Sequence, residues 1–93
     1  MTTTGRRRRL AHLDVLWTSN EAGHSRMGLI VPRHQSSAVA RNRLRRRIRE
    51  AWRRGVQADA PAVDIVIRAR REAYQAGYAE LLGELAAWRA GLA

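Results

Sequence analysis

The chain has no cysteine. That excludes disulfide staples, thiolate zinc sites and cysteine nucleophiles. It also has no lysine: all 18 of its strongly basic residues are arginine. Apolar runs are short, far below the roughly 20 residues that cross a bilayer. The start, Met1 to Arg9, lacks the apolar stretch of a secretory signal. Its arginines suit a transit peptide, but Leu13, Val15, Leu16 and Trp17 just after them read as a strand, and a cytoplasmic protein is the simplest expectation. There is no internal repeat, no glycine-rich phosphate loop, no Gly-x-Ser-x-Gly elbow and no His-Glu-x-x-His pair. His12, His24 and His34 are scattered without ligand spacing, so no metal site is expected of them. Nothing in the sequence brings Asp14, Asp59 and Asp64 together as Mg²⁺ ligands.

What is present is positive charge, unevenly placed. The net charge is +10 over 93 residues. Residues 1–54 hold 14 Arg against three acids, a balance of +11, while residues 55–93 hold four Arg against five acids, a balance of −1. One half is built to meet a polyanion. Arginine suits that task because its planar guanidinium donates paired hydrogen bonds to phosphate. Genomic base composition explains a preference for Arg over Lys, but not its clustering in one half.

The length supports one domain, 1–93, with residues 1–10 expected as a flexible basic arm. Leu13 to Thr18 carries strand formers, Ser19 to Ser25 is turn-like, and Met27 to Val31 is an apolar run stopped by Pro32. The two runs read as an antiparallel hairpin. Ser36 or Ser37 is placed to cap a helix over Ala38 to Arg54, in which Leu44, Ile48, Ala51, Trp52 and Gly55 fall on one stripe. Gly55 is expected to end it. Val63 to Ile67 reads as a third strand and Arg68 to Gln75 as a link. Tyr78, Leu81, Leu82, Leu85, Trp88 and Leu92 mark a second amphipathic helix. The order β-β-α-β-α implies an α+β two-layer sandwich, a small sheet with both helices on one face.

The first helix carries eight Arg in the fourteen residues from Arg41 to Arg54. Asn42, Arg46, Arg49 and Arg53 lie opposite the apolar stripe, Arg43, Arg47 and Arg54 form a neighbouring row with Glu50, and Arg41 and Arg45 flank the stripe. Such crowding costs folding free energy through repulsion, which phosphate neutralisation with counterion release offsets. A solvated charged face is the bland alternative, but ordinary faces mix signs and this one has a single acid. RNA is favoured over DNA: a strand, not a helix, precedes the basic helix, and no heptad zipper follows it. No DNA and no membrane partner is expected.

The run from Arg26 to Trp52, Arg-Met-Gly-Leu-Ile-Val-Pro-Arg-His-Gln-Ser-Ser-Ala-Val-Ala-Arg-Asn-Arg-Leu-Arg-Arg-Arg-Ile-Arg-Glu-Ala-Trp, resembles the signature of the bacterial ribonuclease P protein component. Val63 to Arg68 and the segment Gly77 to Leu81 are similar to that family as well. The resemblance implies a left-handed crossover around the basic helix. It implies an accessory role beside a catalytic RNA, which with its Mg²⁺ ions removes the 5′ leader of precursor tRNA by endonucleolytic cleavage. Under it, Arg41, Asn42, Arg43, Arg45, Arg46 and Arg49 face that RNA, Arg47 and Arg53 adjoin them, and Arg33 and His34 stand where the family has paired basic residues. Trp17 stands where the family often has an aromatic in the leader-binding cleft. The resemblance leads one to expect an N-terminal helix ahead of Arg6 to Arg9, which looks like the segment that follows it; either that helix is lost or the start at Met1 is too late. Ser36-Ser37 stands near a family glycine, and Pro32 replaces a small polar residue.

Two other classes fit the composition: a structural RNA-binding protein of ribosomal type, which co-purified RNA would reveal, and a membrane-active basic helix, which the narrow apolar stripe disfavours. Trp52 and Trp88, on apolar stripes, are expected in the core. For Trp17, core and cleft are evenly balanced on the residues alone.

Overall fold

A computed structural model describes residues 5–33, 36–57 and 62–91. Strand β1 is Arg6–Arg9, β2 Leu13–Ser19, β3 Arg26–Ile30 and β4 Val63–Ala69; helix α1 is Ala38–Gly55 and α2 Tyr78–Ala90. A 3-10 turn, Arg71–Gln75, occupies the link before α2. The strands form one mixed sheet in the order β1-β2-β4-β3. β2 pairs antiparallel with both β1 and β4, while β3 runs parallel to β4. A parallel neighbour needs a crossover, and α1 supplies it.

Two expectations change. The runs read as a hairpin, now β2 and β3, are not paired: β4 lies between them. β4 takes the centre because it is the most apolar strand, with Val63, Ile65, Ile67 and Ala69 all buried. The polar turn after β2 is fastened to β4 instead. Asn20 donates to Asp64 and to the His24 carbonyl, and Arg26 grips Asp64 through two nitrogens at 2.7 and 2.9 Å. The Arg26 guanidinium and the Asn20 amide hold the Asp64 carboxyl below its usual range.

Residues Arg6–Arg9, expected in a flexible arm, form edge strand β1. Four arginines carry no alternating apolar signal, so only pairing with β2 reveals the strand. Charge on an edge also discourages pairing with a further chain. Arg8 reaches the Ala87 carbonyl near the end of α2, where a cation complements the helix dipole.

The helices cover one face. Leu13 and Val15 of β2 join the inward residues of β4, with Leu44, Ile48, Ala51 and Trp52 of α1 and Leu81, Leu85 and Trp88 of α2. The stripe read from α1 is thus the buried one, apart from Gly55, which is exposed. Gly55 is still helical, and Val56 after it is the buried cap. At Gly55 the helix passes so close to α2 that a Cβ would meet Leu82 Cδ1 at 2.2 Å. Leu92 lies outside the described residues.

α2 is secured over its first two turns. Glu80 accepts from the Gly77 N–H, and Glu84 accepts from both the backbone N–H and the ring Nδ1 of His12. Glu84→Ala leaves that partly buried backbone donor without its partner. An orphaned donor costs about 1–3 kcal/mol, so urea unfolding is expected to show a lower midpoint with an unchanged slope. An unchanged midpoint would mean that water replaces Glu84 freely.

Candidate nucleic-acid interface

α1 begins at Ser37, whose hydroxyl accepts from the Ala40 N–H at 3.1 Å. No acid stands in its first turn, so nothing screens the positive end of the helix dipole. Along the helix the arginines divide by what they touch. Asn42, Arg43, Arg46 and Arg49 are exposed. The three arginines among them make no hydrogen bond or ion pair with other described residues. Their spacing of three residues places the guanidinia over about 9 Å of helix axis.

The rest are bound elsewhere or, in the case of Arg45, drawn toward the core. Arg41 is partly buried and donates through Nε to the Val31 carbonyl at 2.7 Å. Arg47, grouped by periodicity with an exposed row, is also partly buried and donates to the Ala76 carbonyl at 2.5 Å. Helical periodicity cannot show this, because Ala76 lies 29 residues away in sequence. Arg45 flanks the core as expected, with its Nε enclosed and unpartnered. Arg53 and Arg54 both clasp Glu50, at 2.8 and 2.7 Å. The Arg53 hydrogen bond is the main cause that holds the Glu50 carboxyl below its ordinary value. Glu50 therefore offsets part of the charge at the end of the helix and none on the Arg43–Arg46–Arg49 face.

Arg33, exposed, lies in the connection from β3 to α1. Three carbonyls in a row are held there: Val31 by Arg41, Pro32 by the Tyr74 hydroxyl and Arg33 by Ser36. Tyr74 had no mark in the sequence, since its partner is 42 residues away. His34 lies outside the described residues.

The uncovered face of the sheet is a second surface. The register sets Arg9, Asp14, Arg68 and Ile30 in one row, Arg7, Leu16, Val66 and Gly28 in the next, and Thr18, Asp64 and Arg26 in the third. Val66 and Ile30 are 38% and 50% exposed; with Leu16 they give an apolar strip, flanked by Arg9 and Arg68 on one side and by the Arg26–Asp64 ion pair on the other. A shallow depression of about 200 Å³ is lined by Leu16, Trp17, Thr18, Asp64 and Val66. Trp17 itself shares the parity of Leu13 and Val15. Its ring packs edge-on against Trp88 under the helices, with centroids 5.5 Å apart. The aromatic that the resemblance placed in the cleft is thus turned to the helix side of the sheet.

Among the described residues, no group of three His, Asp or Glu side chains is placed to hold a metal ion, and no helix is long and apolar enough to cross a membrane.

A two-layer α+β domain with one helix presenting unpaired arginines is a form suited to docking on a polyanion. A family model described as Ribonuclease P matches residues 1–92. The ribonuclease P protein component of Syntrophobacter fumaroxidans is 41% identical over 85 residues, covering 90% of this chain and 71% of that protein. That of Idiomarina loihiensis is 47% identical over 62 residues, 66% of this chain and 49% of the relative. This chain therefore aligns with about half to seven-tenths of the length of these relatives. Among solved structures, the RNase P protein from Thermotoga maritima, in complex with 1-(4-fluorophenyl)-2-thiourea, superposes with a TM-score of 0.79 at 27% identity, over 91% of this chain and 83% of that one. The Staphylococcus aureus RNase P protein gives 0.78, also at 27%, over 95% and 80%. The chain belongs to the ribonuclease P protein family. Membership makes it a protein subunit of ribonuclease P, with the RNA of that enzyme as its partner, and disfavours the ribosomal alternative.

Proposed function

We propose that the subunit works through two surfaces: the Arg43–Arg46–Arg49 face of α1 docks on the catalytic RNA, and the open face of the sheet receives the single-stranded 5′ leader of precursor tRNA. The observation that carries this reading is the separation of the surfaces. One is a helix face of unpaired cations, suited to phosphates and shape. The other, across the sheet, sets cations beside an apolar strip of Leu16, Val66 and Ile30, on which the flat faces of bases can rest without regard to sequence. Arg33 and Asn42 extend the first surface.

Mg²⁺ belongs with the RNA in this reading. The carboxylates of the open face do not fit a resident metal: Asp64 is engaged by Arg26 and Asn20, and one Asp14 oxygen is enclosed while the other faces Arg7 at 4.0 Å. The protein contributes fixed positive charge. By neutralising phosphates where RNA segments converge, it lowers the Mg²⁺ concentration at which the RNA reaches its active form. The leader contact adds affinity for precursor over mature tRNA. Cleavage itself stays with the RNA.

Val66→Glu tests the second surface. A carboxylate set on that strip repels the leader's phosphates and removes apolar contact area, so the holoenzyme's affinity for precursor tRNA is expected to fall several-fold, with mature tRNA unaffected. Equal losses for both would remove the leader from this face.

A further inference from the structure

Arg47 has a different task from its neighbours on α1. Its side chain is partly buried, and its Nη1 donates to the Ala76 carbonyl at 2.5 Å. Ala76 closes the 3-10 turn Arg71–Gln75. That turn is itself firmly held. At its start, the Arg70 N–H donates to the His12 carbonyl at 3.0 Å, and the Arg70 guanidinium reaches the Leu10 and Ala11 carbonyls at 2.8 and 3.0 Å. Its inner side lies in the core, with Ala73 and Ala76 buried. From its middle, the Tyr74 hydroxyl donates to the Pro32 carbonyl, on the approach to α1. The turn is thus fixed to the sheet, and it grips α1 at one point and the approach to α1 at another.

These contacts supply what the apolar stripe of α1 lacks. Leu44, Ile48, Ala51 and Trp52 seat the helix on the sheet. Apolar burial is non-directional, so a narrow stripe resists rotation of the helix about its own axis only weakly. Hydrogen bonds are directional. Arg41 donates to the Val31 carbonyl, and Arg47, six residues later, to the Ala76 carbonyl. On an α-helix six residues separate two side chains by about 120° around the axis and about 9 Å along it. Two fastenings so placed oppose both rotation and sliding. A group about 6 Å from the axis moves about 2 Å when the helix turns by about 20°, enough to break a hydrogen bond to a phosphate.

We infer that Arg47 and Tyr74 are positioning residues for docking on the ribonuclease P RNA. They brace α1 and its approach against the 3-10 turn, so that Arg43, Arg46 and Arg49 meet the RNA in one orientation. Both act through the helix and not by touching the RNA. This role rests on the docking of α1 proposed above.

Filter binding of the RNA, at a temperature where far-ultraviolet circular dichroism shows every variant folded, tests the brace. Arg47→Met keeps an unbranched side chain and removes the donor. Tyr74→Phe removes one hydroxyl and changes no charge, so it carries the test if Arg47→Met does not fold. Without a fastening, binding itself must fix the helix, at a cost near the net worth of the lost hydrogen bond. A loss of affinity of about threefold to tenfold is therefore expected for each variant. In a chain that already carries Arg43→Gln, Arg46→Gln and Arg49→Gln, adding Arg47→Met is expected to cost at most about twofold more, the general effect of one charge fewer. An equal loss in both backgrounds would mean that Arg47 meets the RNA directly, and would overturn its positioning role. If the triple Gln variant is weakened while Arg47→Met and Tyr74→Phe bind as the natural chain does, the brace falls and the docking of α1 stands. If the triple Gln variant itself binds as tightly as the natural chain, the docking of α1 falls and the brace with it.

Discussion

Replacing Arg43, Arg46 and Arg49 together by Gln is expected to weaken binding to the ribonuclease P RNA about a hundredfold at ~0.1 M salt. Each phosphate neutralised on a duplex releases about 0.9 of a counterion, so three lost contacts flatten the log–log salt dependence by about 2.7. Fold and stability should survive. All three side chains are exposed, Gln keeps a good helix propensity, and removing like charges relieves repulsion along α1. A matched control is Arg53→Gln with Arg54→Gln. These two cations share Glu50, so removing them takes away two positive charges and frees one negative charge that they had offset. The control should cost less affinity than the triple variant. Filter binding across a salt series measures both. If the control costs about two-thirds or more of the triple variant's loss in binding free energy, the share that its two charges would carry by number alone, the RNA reads the total charge of the helix and not the face that the structure singles out.

Trp88→Ala is expected to cost about 3–5 kcal/mol, the usual range for truncating a buried aromatic. Trp88 is 1% exposed and lies between Trp17 and Trp52, with ring centroids 5.5 and 6.0 Å away. It joins α2 to both the sheet and α1. A domain of this size holds about 5–15 kcal/mol in total, so the variant loses a large share of it. The indole N–H is buried without a hydrogen-bond partner. Trp88→Phe, which keeps a ring and removes that orphan donor, should therefore cost much less. Chemical unfolding followed by far-ultraviolet circular dichroism separates the two. A loss below about 1 kcal/mol for Trp88→Ala would mean that the tryptophan trio is not the centre of the core. RNA that binds the folded chain more tightly than the unfolded one should raise the variant's apparent stability by mass action.

Where the sequence was legible, a local period carried the signal. The α1 stripe follows from the 3.6-residue repeat, and Leu44, Ile48, Ala51 and Trp52 are buried as that repeat requires. The apolar character of β4 likewise foretold a buried strand. Pairing was not legible. Nothing within β2 or β3 says that a strand more than 30 residues later separates them, and the repetition in Arg6–Arg9 hides the two-residue period of β1. The α1 arginines show the same limit from the side of function. Periodicity sorts them by direction, but Arg41 and Arg47 are withdrawn by distant carbonyls that no spacing rule anticipates. Trp17 is the converse: the resemblance suggested a cleft aromatic, while strand parity turns the ring inward. Family membership was legible because the segment from Arg26 to Trp52 combines a strand end, a cap and a basic helix in one continuous run.

The proposed role of the chain in ribonuclease P is to supply positive charge that the RNA alone must recruit as Mg²⁺. The direct measurement is the single-turnover cleavage rate of precursor tRNA by the cognate catalytic RNA across a Mg²⁺ series, with and without the full chain. Strong stimulation is expected at low Mg²⁺, fading as Mg²⁺ rises, with the whole curve shifted to higher Mg²⁺ for the Arg43/Arg46/Arg49 variant. No stimulation at low Mg²⁺, by a folded protein added to an RNA that is active at high Mg²⁺, would contradict it.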